Sequence, residues 1–554
     1  MRHTLLTLIL LCASASATAQ IDLTPAEWRQ DLRFLQETVH TDYPFLFKKV
    51  SAEAFDAAVE KLHADLPALD DHEVIVGLAR LVALFGYGHT NLWLTGWDPG
   101  NPYGFRQMPY NLYWFADGVY VQGAHRDYAE AVGARVTHVA GVPVEEALEA
   151  VRPVVSVENE QFFKASAVHY LGTPAVLHAQ GVIDSLQGEI TLTLAREGAP
   201  YEVSFAPASA PASPLRYGLI QEDDHWLDAR DNTTTPAWLA ELDRIYYYTY
   251  LADSKTVYVR QSQVEDDSGQ GLSDFYAEVF RFVETNDVER LVLDVRLNGG
   301  GNNYKNKDVV RGIIRTEKID QPGKLFVIIG RRTFSAAQNL VNELHHYTNA
   351  IFVGEPTAEN VNFYGDNRPT ELPNSHLRPR LSFAWWQDKP QWENDDWLAP
   401  HLAVGMTFAD YRDNRDPALA AILRYDGEID LTDPMHHLEE LYKAGKLAEV
   451  RTEAHRLVQD PRYDYYPFER NFDRTGHLLL EQGAGEAAVM VFQLNAELFP
   501  NSPDVWNSLA EAYWKSGDTI RALEHYERAI ALDPTGPAGE RARAVRAKIR
   551  AGMQ

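Results

Sequence analysis

Cysteine is almost missing. The 554-residue chain has one, Cys12, and it falls inside an apolar leader. A chain without further thiols excludes disulfide staples, thiol catalysis and cysteine-based zinc sites. A chain this long can rely on its hydrophobic cores instead. Long apolar runs are equally scarce. After the leader none approaches the roughly 18 residues of a membrane helix, so no integral membrane segment is expected once the leader is removed. Positive charge is short too: 51 Lys and Arg face 79 Asp and Glu, a net charge of −28. Such a surface repels phosphate backbones, and no nucleic-acid partner is expected. Neither His-Glu-x-x-His nor a Gly-x-Gly-x-x-Gly that opens a helix occurs. The pairs His345-His346 and His436-His437 are adjacent, so on a helix they diverge. No metal and no cofactor is expected.

What is present is ordinary globular composition, 45% hydrophobic and 23% charged. The chain opens with Met1-Arg2-His3-Thr4, an apolar run to Leu11, and Ala17-Thr18-Ala19. This reads as a signal peptide over 1–19, giving a periplasmic or secreted protein that starts at Gln20. A lipoprotein leader would want a small residue before Cys12, where Leu11 stands.

Residues 20–90 read as helical. Thr24, Pro25 and Glu27 form a capping box with proline at the first helical position. A later helix, 74–85, closes at Gly86-Tyr87-Gly88-His89. Residues 91–214 read as a β-rich module of short strands, ending in an Ala-Pro-Ser-rich linker at 206–214. Residues 215–430 read as α/β. Buried strands at 291–295 and 325–330 alternate with helices, one of them at 274–284 with Ser273 as N-cap, which implies right-handed parallel crossovers. Residues 431–554 read as tetratricopeptide repeats. Trp506, Leu509, Ala510, Tyr513, Gly517, Ala522, Tyr526 and Pro534 recur, at a period of about 34, as Phe472, Thr475, Gly476, Leu479, Gly483, Ala488, Phe492 and Pro500. A degenerate unit precedes them around 438–458.

Ser335 follows a buried strand and opens a helix, where free N–H groups and the helix dipole favour negative charge. It is either an N-cap or a nucleophile. The loop Asn298-Gly299-Gly300-Gly301 follows the preceding parallel strand and lies at the same sheet edge. Such a loop can bring a backbone N–H close to a substrate oxygen, or can be only a tight turn. Four tryptophans, Trp385, Trp386, Trp392 and Trp397, are as compatible with a cleft lining as with a core.

The segments Leu293–Gly301, Thr333-Phe334-Ser335-Ala336-Ala337 and Val353-Gly354-Glu355-Pro356-Thr357 resemble the core of the carboxyl-terminal processing serine peptidases. The resemblance spans about 25–425 and implies a crotonase-like catalytic core with a degenerate PDZ-like middle module. The better-known branch uses a lysine base, but Asn360 stands at the matching position, leaving only Lys305 or Lys307 to reach in from the glycine loop. The tricorn core protease-like branch uses serine, histidine and glutamate. There Gly88-His89-Thr90 resembles the histidine segment, and Glu393, within Trp392–Pro400, resembles the glutamate segment, with Asp395 and Asp396 as competitors. The resemblance therefore implies Ser335, His89 and Glu393 as catalytic, with the amides of Gly300 and Ala336 as oxyanion hole. The substrate would be a peptide or protein, and the repeats would bind a protein partner or self-associate. A binding protein on the same fold and an esterase are the rival readings.

Overall fold

A computed structural model describes residues 23–95, 104–186, 188–207, 213–231, 233–425 and 433–552. The leader, with Cys12, and most of the 206–214 run lie outside the described residues. No described helix is long and apolar enough to cross a membrane.

The first helix is Pro25–Asp42. Its cap is reciprocal: Thr24 N–H donates to Glu27 Oε2 at 2.8 Å and Glu27 N–H to Thr24 Oγ1 at 3.3 Å. Helices Ala52–Asp65 and Asp71–Ala83 follow. Their apolar faces, among them Leu35, Phe55, Val59 and Val82, share one continuous core with the β-rich unit. That unit is a seven-stranded antiparallel sheet. Its path runs Tyr110–Phe115, Gly118–His125, Arg135–Val139, Ile190–Arg196, Ala199–Phe205, with two short strands attached. Helices Glu160–Tyr170 and Pro174–Ala179 pack beside it. Three helices alone bury little apolar surface, so sharing a core is how this stretch becomes stable.

The second sheet has six strands in the order Tyr246–Leu251, Thr256–Gln261, Arg290–Asp294, Leu325–Ile329, Ile351–Gly354, Leu402–Ala403. The first pair is antiparallel and the rest parallel. Leu325–Ile329 is buried throughout, as a strand covered on both faces must be. Strand order advances in one direction. Right-handed crossovers then put the connecting helices Leu272–Thr285, Asn306–Arg315 and Ala336–Tyr347 on one face. The opposite face, with Tyr258, Val292, Phe326 and Val353, packs against helix Pro417–Leu423 and the first C-terminal helices through Leu438, Leu457, Phe468 and Phe472. The C-terminal array is thus also the second wall of the α/β sheet.

Helix Leu272–Thr285 does not start at Ser273. Gly271 is its N-cap, and Asp266 Oδ1 accepts the Leu272 N–H at 3.0 Å. A carboxylate brought in by the preceding loop outcompetes the local hydroxyl. At the C-terminus, helix pairs run from Pro434 to Gly552. Gly483 and Gly517 take φ of +77° and +85° at helix ends, where a left-handed residue closes the helix.

Candidate active site

Ser335 is held at φ +58°, ψ −128°, a conformation that a residue with a Cβ rarely takes. Such backbone strain costs on the order of 1–3 kcal/mol and persists only where its surroundings enforce it. The turn before it is fixed on three sides. Thr333 Oγ1 donates to Val295 O at 2.9 Å, Gly330 N–H donates to Thr333 Oγ1 at 3.1 Å, and Phe334 N–H donates to Asn298 O at 3.0 Å. Ser335 occupies the N-cap position of helix Ala336–Tyr347, yet its side chain makes no capping hydrogen bond. The hydroxyl is therefore not spent on the helix.

His89 follows the loop that closes helix Asp71–Ala83. Its ring stacks on Phe334 with centroids 4.6 Å apart and lies parallel to Phe363 at 6.1 Å. Only 13% of the side chain is exposed. Burial pushes the imidazole down to about 4. Among the described residues no hydrogen bond joins Ser335 Oγ to His89. One carboxyl group lies beside both residues, hydrogen-bonded to the first and near the second without a hydrogen bond. Glu359 Oε1 lies 3.4 Å from His89 Nε2, and Glu359 Oε2 accepts the Ser335 N–H.

Glu359 is not one of the acids expected from sequence. It lies just beyond strand Ile351–Gly354, at the carboxyl edge of the sheet. Glu393 sits after a long excursion through the hairpin Asn362–Pro369/Arg380–Gln387. That excursion carries it to a different cleft of about 1040 Å³, shared with Lys389, Trp397, Tyr465 and Arg470. The lining of that cleft includes neither Ser335 nor His89. Asp395 pairs with Arg470 there, while Asp396 turns its carbonyl inward, accepting Asn360 Nδ2–H at 2.9 Å. Of the tryptophans, Trp385 packs on Tyr364 in the hairpin and Trp397 faces Tyr465 in the cleft.

A second buried acid supports the histidine loop. Glu158 Oε2 accepts the Gly88 N–H at 2.7 Å. Lys49 Nζ lies 3.7 Å from the other oxygen of Glu158 and donates to Gly86 O at 2.7 Å and to Asn360 Oδ1 at 2.8 Å. One lysine thus ties the histidine loop to the segment that carries Glu359. Burial raises both carboxyls, Glu158 to about 7 and Glu359 well above the usual range, and their mutual repulsion lifts Glu359 further. Lys49 is the opposing charge, lowering both. Lys305 pairs with Asp266 at 2.6 Å and Lys307 lies over the Tyr304 ring, so neither is directed at Ser335.

Gly300 has a different role from the expected one. Its N–H donates to Asn298 Oδ1 at 3.0 Å, so it is engaged by its own loop. Its φ is +100°, and a Cβ there would fall 2.5 Å from Ser335 Cβ and 2.9 Å from both Ala336 N and Phe334 O. Glycine is required for the loop to pass over the serine. The Ala336 N–H, in the first turn of the serine helix, has no acceptor among the described residues. In front of His89 lies a hollow of about 170 Å³ lined by Gly88, His89, Asn91, Trp93, Phe334, Asn367 and Arg380.

Residues 503–535 match the tetratricopeptide-repeat family. None of the curated proteins matches the chain by sequence. Among solved structures, mature CPAF aligns at 14% identity over 73% of this chain and 97% of its own, with a TM-score of 0.49. The photosystem II D1 C-terminal processing protease aligns at 14% identity over 74% of this chain and 99% of its own, with a TM-score of 0.32. PcrH, in complex with the chaperone-binding region of PopD, aligns at 23% identity over 22% of this chain and 91% of its own, with a TM-score of 0.16. The structural neighbours of the chain are therefore CPAF and a processing protease, with a tetratricopeptide repeat near its C-terminus.

Proposed function

We propose that the chain is an exported serine peptidase with a crotonase-like core, in which Ser335 is the nucleophile, His89 the base and Glu359 the orienting acid. The observation that carries this reading is the position of Glu359, whose carboxyl accepts the Ser335 N–H and lies 3.4 Å from the His89 ring nitrogen. Ser335 Oγ would attack the peptide carbonyl and pass its proton to His89. Nε2 is turned to Glu359, which leaves Nδ1 to receive that proton. The imidazolium would then protonate the leaving amine, and water would hydrolyse the acyl-enzyme. The Ala336 N–H would hold the oxyanion; the Gly300 N–H could join it only by releasing Asn298. Glu359 supports the imidazolium only when ionised, which burial and the Glu158 charge oppose and the Ser335 N–H and Lys49 favour. The repeats would offer a concave surface to a protein partner or to a second copy.

The test is mass spectrometry of a mixed peptide library incubated with the mature chain, beside Ser335→Ala, His89→Ala and Glu359→Gln. Cleavage by the native chain that is lost in the first two and reduced in the third supports the reading. Cleavage surviving Ser335→Ala overturns it.

A further inference from the structure

A second cluster lies well outside the serine site, where the N-terminal helices meet the β-rich unit. His72 and Glu73 occupy the first turn of helix Asp71–Ala83, and His178 lies in the short helix Pro174–Ala179. His72 Nε2 is 2.9 Å from His178 Nδ1. Glu73 Oε1 is 3.8 Å from the same nitrogen. One donor atom from each of the three residues lies within 4.8 Å of the others. All three side chains are half-buried.

We propose that His72, Glu73 and His178 form a binding site for a divalent transition-metal ion of the zinc type, with water as fourth ligand. Two imidazole nitrogens and one carboxylate oxygen are a donor set that zinc takes in open sites. Zinc–nitrogen bonds of about 2.0–2.1 Å at a tetrahedral angle put the two nitrogens roughly 3.3 Å apart. The rings need separate by only a few tenths of an ångström from their present spacing. Glu73 can ligate without losing its other role. Its Oε2 accepts the Asp70 N–H at 2.8 Å in the helix cap, while Oε1 is the oxygen that faces His178.

Charge is favourable as well. The helix N-terminus repels a cation, but Asp70, Asp71 and Glu73 add three carboxylates within one turn. The neighbouring cation, Arg80, points its guanidinium at Gln180 Oε1, 3.3 Å away. No sequence motif announces the site, because His178 is 106 residues from His72. A bound ion would staple helix Asp71–Ala83, whose far end leads into the His89 loop, to the β-rich unit.

The experiment uses the full mature chain, stripped with a chelator, dialysed and titrated with zinc chloride by calorimetry. Cobalt(II) absorption reports the coordination geometry, and magnesium serves as the control ion. The expected result is one equivalent of zinc bound by the native chain and a raised unfolding temperature. Affinity should fall at least tenfold in Glu73→Gln, which keeps a capping amide, and binding should vanish in His72→Ala/His178→Ala. Circular dichroism of each variant without metal establishes that it is folded. A flat titration of the native chain overturns the proposal, leaving the pair as a hydrogen bond between two histidines. An isotherm unchanged in the folded double variant overturns it equally.

Discussion

Two adjacent glycines give opposite expectations. At Gly300 an added Cβ would sit 2.5 Å from Ser335 Cβ, about 1 Å inside an ordinary carbon–carbon contact. Its other neighbours at 2.9 Å, Ala336 N and Phe334 O, are backbone atoms that cannot swing aside. The φ of +100° adds strain for any residue with a side chain. Overpacking and strain each cost roughly 1–3 kcal/mol, so Gly300→Ala should destabilise the chain by about 2–6 kcal/mol. Any relief must come from moving the serine turn. With Ser335 as the proposed nucleophile, displacing it by about 1 Å should lower kcat by about a hundredfold. At Gly299 nothing lies within 4 Å of the added Cβ, and Gly299→Ala should stay within about 0.5 kcal/mol of the native chain. Thermal unfolding measures the first quantity, and labelling of Ser335 by a fluorophosphonate probe measures the second. Equal effects of the two substitutions, or labelling of Gly300→Ala at the native rate, would refute the geometry on which the site rests.

Glu359→Gln should cost at least a hundredfold in kcat/KM, and Glu393→Gln less than threefold, read with any substrate found in the library. The acid limb of kcat/KM should follow the raised carboxyl pair rather than the imidazole near 4, and Glu158→Gln should shift it to lower pH by removing a repelling charge. The same variant tests stability. A buried acid raised to about 7 binds a proton in the folded chain that the unfolded chain has lost, so stability falls as pH rises from about 4.5 to 7. Glu158→Gln should therefore raise the unfolding temperature at pH 8 more than at pH 4. Phe472→Ala should cost about 3–5 kcal/mol and increase hydrogen exchange in strand Leu325–Ile329, while Ile549→Ala should leave that strand unchanged.

Local signals in the sequence carried much of this fold. The Thr24–Glu27 box and the buried run read at 325–330 depend on neighbours within a few residues, the repeat glycines on a period of about 34; the box and the glycine turns are present as expected, and the strand ends one residue early, at Ile329. The place of Ser335, between a buried strand and the start of a helix, is legible in the same way. What could not be read was anything set by chain path. Glu359 and Glu393 are equally acidic and both follow strand Ile351–Gly354. Only the hairpin between them decides which one reaches His89. Glu359 did carry a faint signal, being next to Asn360 in a segment already marked. Lys49 and Glu158 carried none, since their partners Asn360 and Gly88 are 311 and 70 residues away. The partner of the Gly300 amide is not legible for a smaller reason: Asn298, two residues earlier, folds back and takes it.

The one-sided crossovers have a consequence for how this chain can change length. Its repeat array is fused at the near end, where Leu438, Leu457, Phe468 and Phe472 wall in a sheet that would otherwise face water. At the far end Ala510, Tyr526, Ala542 and Ile549 belong to a small cluster of their own that makes no contact with the sheet. Units beyond about residue 500 lean only on the neighbouring helices, through Phe492, Leu509 and Tyr513, and can be gained or lost without exposing the sheet, whereas the units before it are inseparable from the sheet. Related chains should vary in repeat number at the tail while keeping the first two helix pairs, and limited proteolysis should trim from Gly552 inward and stall at the wall.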